Sequence, residues 1–160
     1  MKLLRVLCLM VVFPACGSDT GGSVDSPQEE AAVRDLIGRY YQDFNNSDWD
    51  AVADHFWADA DITTVWQEAG ENSDRVVHTS IDDFFTSAPR ENPFGETFEM
   101  LAVRANVSVY RDLAQAWVWY DAKLDSAGEV AEWDGVDAFT FLKHDGVWKI
   151  AALMFASGDP

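Results

Sequence analysis

Apolar positions follow a helical period early in the chain and a two-residue period late in it. Val33, Leu36, Ile37, Tyr40, Tyr41 and Phe44 recur at i, i+3, i+4, i+7, i+8 and i+11, which is one face of an α-helix. Ser26 as cap, Pro27 in the first turn and Glu29 as the return arm of a capping box predict its start. Asn45 and Asn46 interrupt the pattern, and Ser47 with Asp50 predicts a second cap. The second helix is expected over 48–57, with Trp49, Val52, Ala53 and Phe56 as its buried stripe. The β-branched stretch 61–66 then reads as a strand.

The segment 68–74 is polar and contains Gly70, so a loop is expected there. A short strand over 75–78 precedes a third helix over 81–87, capped by Ser80 and stopped by Pro89 and Pro93. Three or four long strands follow. Residues 98–111 alternate in period two, 115–124 and 129–143 are further strands, and 147–156 is the last. His144-Asp145-Gly146 is a hairpin turn signal before that last strand. Helices first and antiparallel strands last predict an α+β fold of one domain over 27–157.

The first fifteen residues stand apart. Lys2 and Arg5 precede a brief apolar run, Val6 to Phe13, too short to span a bilayer, and Ala15-Cys16-Gly17 follows. This resembles a bacterial lipoprotein signal with Cys16 as the lipidated first mature residue, although Phe13 and Pro14 depart from the usual leucine and small residue. Ordinary secretion and an uncleaved anchor are the alternatives. On the lipoprotein reading the chain is held at the cell envelope, on the periplasmic face of the outer membrane. Residues 16–26 are then a Gly/Ser/Thr/Asp tether. Cys8 leaves with the signal, so the mature domain has no disulfide and no cysteine metal site.

Charge narrows the partners. The net formal charge is −17, and removing residues 1–15 takes away Lys2 and Arg5 and no acid, which leaves −19. Such a surface repels nucleic acid and anionic headgroups, so lipid on Cys16 would be the membrane attachment.

Several short motifs, in order, carry a family resemblance. They are Gly38-Arg39-Tyr40, the stretch 45–50, the stretch 55–61, His78-Thr79-Ser80-Ile81, and the stretch 143–150. The order of elements resembles the NTF2-like superfamily, in its SnoaL-like and ketosteroid-isomerase-like branches. The resemblance implies three N-terminal helices packed on a curved antiparallel sheet, forming a cone with an apolar pocket. It also implies an oxyanion-stabilising pair, and the matching positions here are Tyr40 and Asp137. The position of the family's carboxylate base holds Thr64, which cannot remove a carbon-bound proton near neutral pH. His78, near the pocket mouth, is the candidate substitute base, with an unplaced carboxylate as another base and a surface or helix-capping role as its alternative reading.

The expected pocket lining is Tyr40, Phe44, Phe56, Thr64, Trp66, Trp119, Trp133, Phe139 and Phe155. Alternation places Trp133, Gly135, Asp137, Phe139 and Phe141 on one face of their strand. No metal-ligand spacing is present among the three histidines, and no cofactor is expected. Three functions follow as expectations: binding of a small apolar or aromatic molecule, an isomerase, dehydratase or cyclase chemistry, or a non-catalytic homodimer. The dimer would use Trp117, Trp119 and Trp148 on the outer sheet face, Trp117 and Trp119 sharing a face that either lines the pocket or covers this interface.

Overall fold

The computed structural model describes residues 26–66, 75–87, 97–126 and 128–157. The expected signal, its Cys16, the tether up to residue 25, the loop at 68–74 and the proline stop after the third helix lie outside the described residues.

The chain runs α1 (Pro27–Asn45), α2 (Trp49–Asp54), β1 (Phe56–Trp66), β2 (Arg75–Ser80), α3 (Ile81–Ser87), β3 (Thr97–Tyr110), β4 (Leu113–Ser126), β5 (Glu129–His144) and β6 (Val147–Ser157). The predicted stripe of α1 is the buried one: Val33, Leu36, Ile37, Tyr40 and Tyr41 face inward. Its predicted capping box does not form. The Ser26 hydroxyl donates to Gln28 Oε1, and Glu29 instead accepts from Lys143 Nζ at 2.6 Å and Trp148 Nε1 at 2.7 Å. Those two contacts fix the start of α1 to the β5–β6 hairpin.

The second helix is shorter than its apolar spacing suggests. Asp48, not Ser47, is its cap and accepts from the Ala51 amide at 3.2 Å. The strand begins at Phe56 rather than near 61, so Phe56 is buried from β1, not from a helix. Ser80 caps α3 as expected, accepting from the Asp83 amide at 3.1 Å.

The six strands form one sheet in the order β2-β1-β6-β5-β4-β3. Its pairings are antiparallel with one exception: β1 lies parallel to β6, so the sheet is mixed and not purely antiparallel. The three helices are likewise not an N-terminal trio, since α3 follows β1 and β2. The β5–β6 turn has positive φ at Asp145 (50°) and Gly146 (81°), the geometry that Asp-Gly favours.

The far edge of the sheet, β3, is pinned to α1 by side chains. Asn45 donates to the Met100 carbonyl and accepts from its amide, both at 2.8 Å, and Arg34 donates to the Ala105 carbonyl at 2.9 Å. One face of the sheet supplies the core. Val118, Phe141 and Ile150 are fully shielded there, as is Val33 on α1. Burying each such side chain contributes roughly 1.5–3 kcal/mol.

The opposite face carries Trp117, Met154 and Val76 in the open. Trp148, expected on that face, is buried on the core side. No described helix is long and apolar enough to cross a membrane.

Candidate functional site

The core face contains one anomaly. Asp137 is 2% exposed and is the one buried charged side chain among the described residues. It stands mid-strand on β5, with Phe139 buried beside it and Gly135 on its other side. Across the sheet its row reads Ala105, Val118, Asp137, Phe155, Thr64 and Val77, from β3 to β2. An isolated carboxylate in such surroundings is costly, so it must be paired or protonated.

Both remedies are present. The Tyr41 hydroxyl, from α1, donates to Asp137 Oδ2 at 2.5 Å. Burial pushes the carboxyl up to about 7, with the Tyr41 hydrogen bond pulling the other way. Two further phenols are within reach of its charge, Tyr40 on α1 and Tyr120 on β4. Burial first, and the Asp137 charge second, push all three tyrosines well above the ordinary phenol range. At neutral pH the cluster therefore holds three phenolic protons and a carboxyl poised between its two states.

The family resemblance matched Tyr40 with Asp137, and the hydrogen bond to the acid comes from its neighbour Tyr41. Tyr40 is buried against Tyr41, Phe56 and Phe139, with ring centroids 5.3, 6.0 and 5.4 Å away. Its hydroxyl makes no hydrogen bond to a described residue.

The remaining expected residues divide by face. Phe139 is buried in the cluster, while Phe155, Thr64 and Trp133 are half-buried on the same face, towards one end of the sheet. Phe98 meets Trp133 there at 6.0 Å, and Phe44 meets Phe98 at 5.9 Å. The Thr64 hydroxyl is committed to the Phe155 carbonyl at 3.0 Å. One strand, β6, lies between it and Asp137, two strand spacings or about 10 Å. Trp66 closes β1 opposite Arg75.

Two candidates lie on the wrong face. His78 pairs with Thr63, whose side chain alternates away from Ile62 and Thr64. Its Nδ1 meets the Thr63 hydroxyl at 2.9 Å, and its ring is 61% exposed. Trp119 is opposite Val136, not Asp137, and lies under the Arg104 guanidinium at 3.6 Å. Neither reaches the buried acid, because adjacent strand positions point to opposite sides.

A separate cleft of about 580 Å³ opens between α2, the start of β1 and α3, with Trp49, Phe85 and Asp82 in its walls. Phe56 lines it and also touches Tyr40, so aromatic rings separate it from Asp137. No group of three or more potential ligands for a metal ion occurs among the described residues.

Tyr41 and Tyr120 are the site residues that sequence reasoning missed. Tyr41 was visible in the helix stripe, and Tyr120 in the alternation of β4 with Ala114, Ala116 and Val118.

The profile of a family described as "Putative lumazine-binding" matches residues 28–156. The chain belongs to that family. Among curated proteins none matches. Solved structures place the lumazine-binding family member in the NTF2-like fold. An ntf2-like protein with a cystatin-like fold from Novosphingobium aromaticivorans has a TM-score of 0.63 at 17% identity, over 83% of this chain and 84% of that one. A function-unknown protein from Mycobacterium tuberculosis has a TM-score of 0.66 at 18% identity, over 83% and 73%. A hexachlorocyclohexane dehydrochlorinase, LinA-type3, from Novosphingobium barchaimii has a TM-score of 0.65 at 16% identity, over 83% and 88%. At these identities the likeness is one of fold.

Proposed function

We propose that this family member binds a small, flat, apolar or aromatic molecule against the face that carries Asp137. The carrying observation is the buried acid itself, bonded to Tyr41 and flanked by Tyr40 and Tyr120. A core built only for stability gains nothing from a carboxyl that burial disfavours. Half-buried Thr64, Phe155, Trp133 and Phe98 supply the approach, and the Tyr40 and Tyr120 hydroxyls, unlike that of Tyr41, are uncommitted donors for a ligand oxygen. The family description supports the same ligand class, since lumazine is a flat bicycle with carbonyl oxygens. We further propose that the domain is held at the cell envelope by lipid on Cys16.

A thermal-shift screen of the fragment from Ser18 onward, with lumazine, steroids and polyketide-like phenols, tests the binding. At least one aromatic class should raise the melting temperature, and Asp137→Asn should reduce that shift. No stabilisation by any class contradicts the reading.

A second reading is favoured by one observation, the carboxyl pushed up to about 7. A group titrating there suits general acid–base work, and the described residues place no other base beside it. Asp137 would then move a proton to and from carbon in an isomerase or lyase step. Exchange of the α-protons of 1-tetralone into deuterated water, followed by proton NMR, tests it. Exchange catalysed by the native protein and abolished in Asp137→Asn supports it; equal exchange by both sinks it.

A further inference from the structure

One strand pair beside the acid leaves no room for a side chain. Gly135 on β5 and Tyr120 on β4 are direct partners. A Cβ on Gly135 would lie 2.2 Å from both Cζ and the hydroxyl oxygen of Tyr120, and 2.8 Å from Cε2. The end of the phenol thus occupies the space a side chain would take, a close approach that only glycine allows. Tyr120 is 4% exposed, so its ring is held from its other sides as well. The hydroxyl makes no hydrogen bond to a described residue, yet it feels the charge of Asp137. It is a donor with no acceptor among the described residues, held over a bare backbone next to the one buried acid, and it is not sealed off, since Trp49 Nε1 is the one fully buried side-chain polar atom among those residues without a partner.

We propose that Gly135 positions Tyr120, and that the pair sets the specificity of the site by presenting a second hydroxyl beside Asp137. This rests on the binding reading above. A ligand with a hydrogen-bond-accepting oxygen, such as a ring ketone, satisfies that donor. A ligand of the same shape without the oxygen leaves it unpaired in a buried place, which costs binding free energy. Gly135 acts through Tyr120 and does not touch the ligand.

The test uses two probes with one carbon frame, 1-tetralone with its carbonyl oxygen and tetralin without it. Calorimetric titrations are made on the native protein, Tyr120→Phe, Gly135→Ala and the double variant. Tyr120→Phe should weaken 1-tetralone about tenfold and leave tetralin unchanged. Gly135→Ala should do the same, because its methyl displaces the hydroxyl. The double variant should be no worse than Tyr120→Phe. A second measurement needs no ligand. Ring current from Tyr120 should shift the Gly135 α-protons upfield in the native protein, and Tyr120→Leu should return them to ordinary positions. Equal losses for both probes overturn the specificity role, and unshifted Gly135 protons overturn the positioning. If the native protein binds neither probe while the Gly135 protons are shifted, the binding reading fails and the specificity role fails with it; the seat itself stands.

Discussion

The Tyr41 hydroxyl donates to Asp137 at 2.5 Å, from helix to mid-sheet, across 96 residues of chain. Its neighbour Tyr40 shares the same buried stripe and makes no such bond. The two positions differ by one step of about 100° on the helix, and that step decides which phenol holds the acid. Tyr41→Phe should therefore destabilise the domain by about 1–2 kcal/mol. It should also raise the Asp137 carboxyl further, since the lost bond was the lowering influence. Tyr40→Phe removes no protein hydrogen bond and should cost less. Urea unfolding of the two variants checks this order; a larger loss from Tyr40→Phe would reverse the assignment.

Asp137 makes stability depend on pH with a definite sign. Its folded value, about 7, lies above the ordinary carboxyl value of 3.8 that holds in the unfolded chain. The neutral carboxyl therefore favours folding. That contribution is full below the unfolded value and is lost as pH rises through the folded one. Over the intervening window, stability should fall by up to about 1.4 kcal/mol per pH unit from this group. Asp137→Asn cannot ionise and still accepts from Tyr41, so its stability relative to the native protein should improve between pH 5 and pH 8. Urea titrations at both values measure the difference. A penalty from asparagine that grows with pH is incompatible with a buried acid.

The outer sheet face offers a second copy of the chain an apolar surface. Trp117 is 54% exposed, Met154 55% and Val76 72%. Trp117 and Met154 both flank Ala138, one strand apart on either side. We propose association through this face. Light scattering should give a dimer for the fragment from Ser18 onward, and Trp117→Glu with Met154→Lys should give a folded monomer. A native monomer at high concentration rejects it.

Lipid attachment has an equally simple consequence. In a host that processes lipoproteins, Cys16→Ser should move the protein from the membrane fraction to the soluble fraction. Unchanged partition would assign the anchor to something other than Cys16.

Much of the fold was legible because burial leaves a period. The stripe from Val33 to Tyr41, the long alternating strands and the Asp145-Gly146 turn all appear where the sequence predicts them. Misreadings arose where two periods fit equally well. Phe56 sits four residues after Val52, a helical spacing, yet it also alternates with Ala60 and Ile62 as a buried strand position. His78 was expected from its place near the pocket mouth, which does not say which side of the sheet it faces, and the face of Trp119 was open between pocket and dimer. A short strand such as β2 gives too few positions to fix which side is inside. In β4 the inner face is the one with Ala114, Ala116, Val118, Tyr120 and Ala122, and its tryptophans face out. The concave side of a curved sheet has little room, so small residues hold it. The parallel pairing of β1 with β6 joins segments about ninety residues apart, and no local pattern encodes it. The buried acid was expected from the family resemblance, with its aromatic neighbours on alternate positions in support, and Tyr41, which appeared only as part of the helix stripe, showed its role in the coordinates.

The central claim is that Asp137 is a buried acid held by Tyr41, and its own titration tests that most directly. The carboxyl carbon of Asp137, followed by carbon-13 NMR from pH 3 to pH 9 and assigned with Asp137→Asn, should titrate with an inflection near 7. In Tyr41→Phe the inflection should move higher. An inflection in the ordinary carboxylate range, unmoved by Tyr41→Phe, would contradict the account.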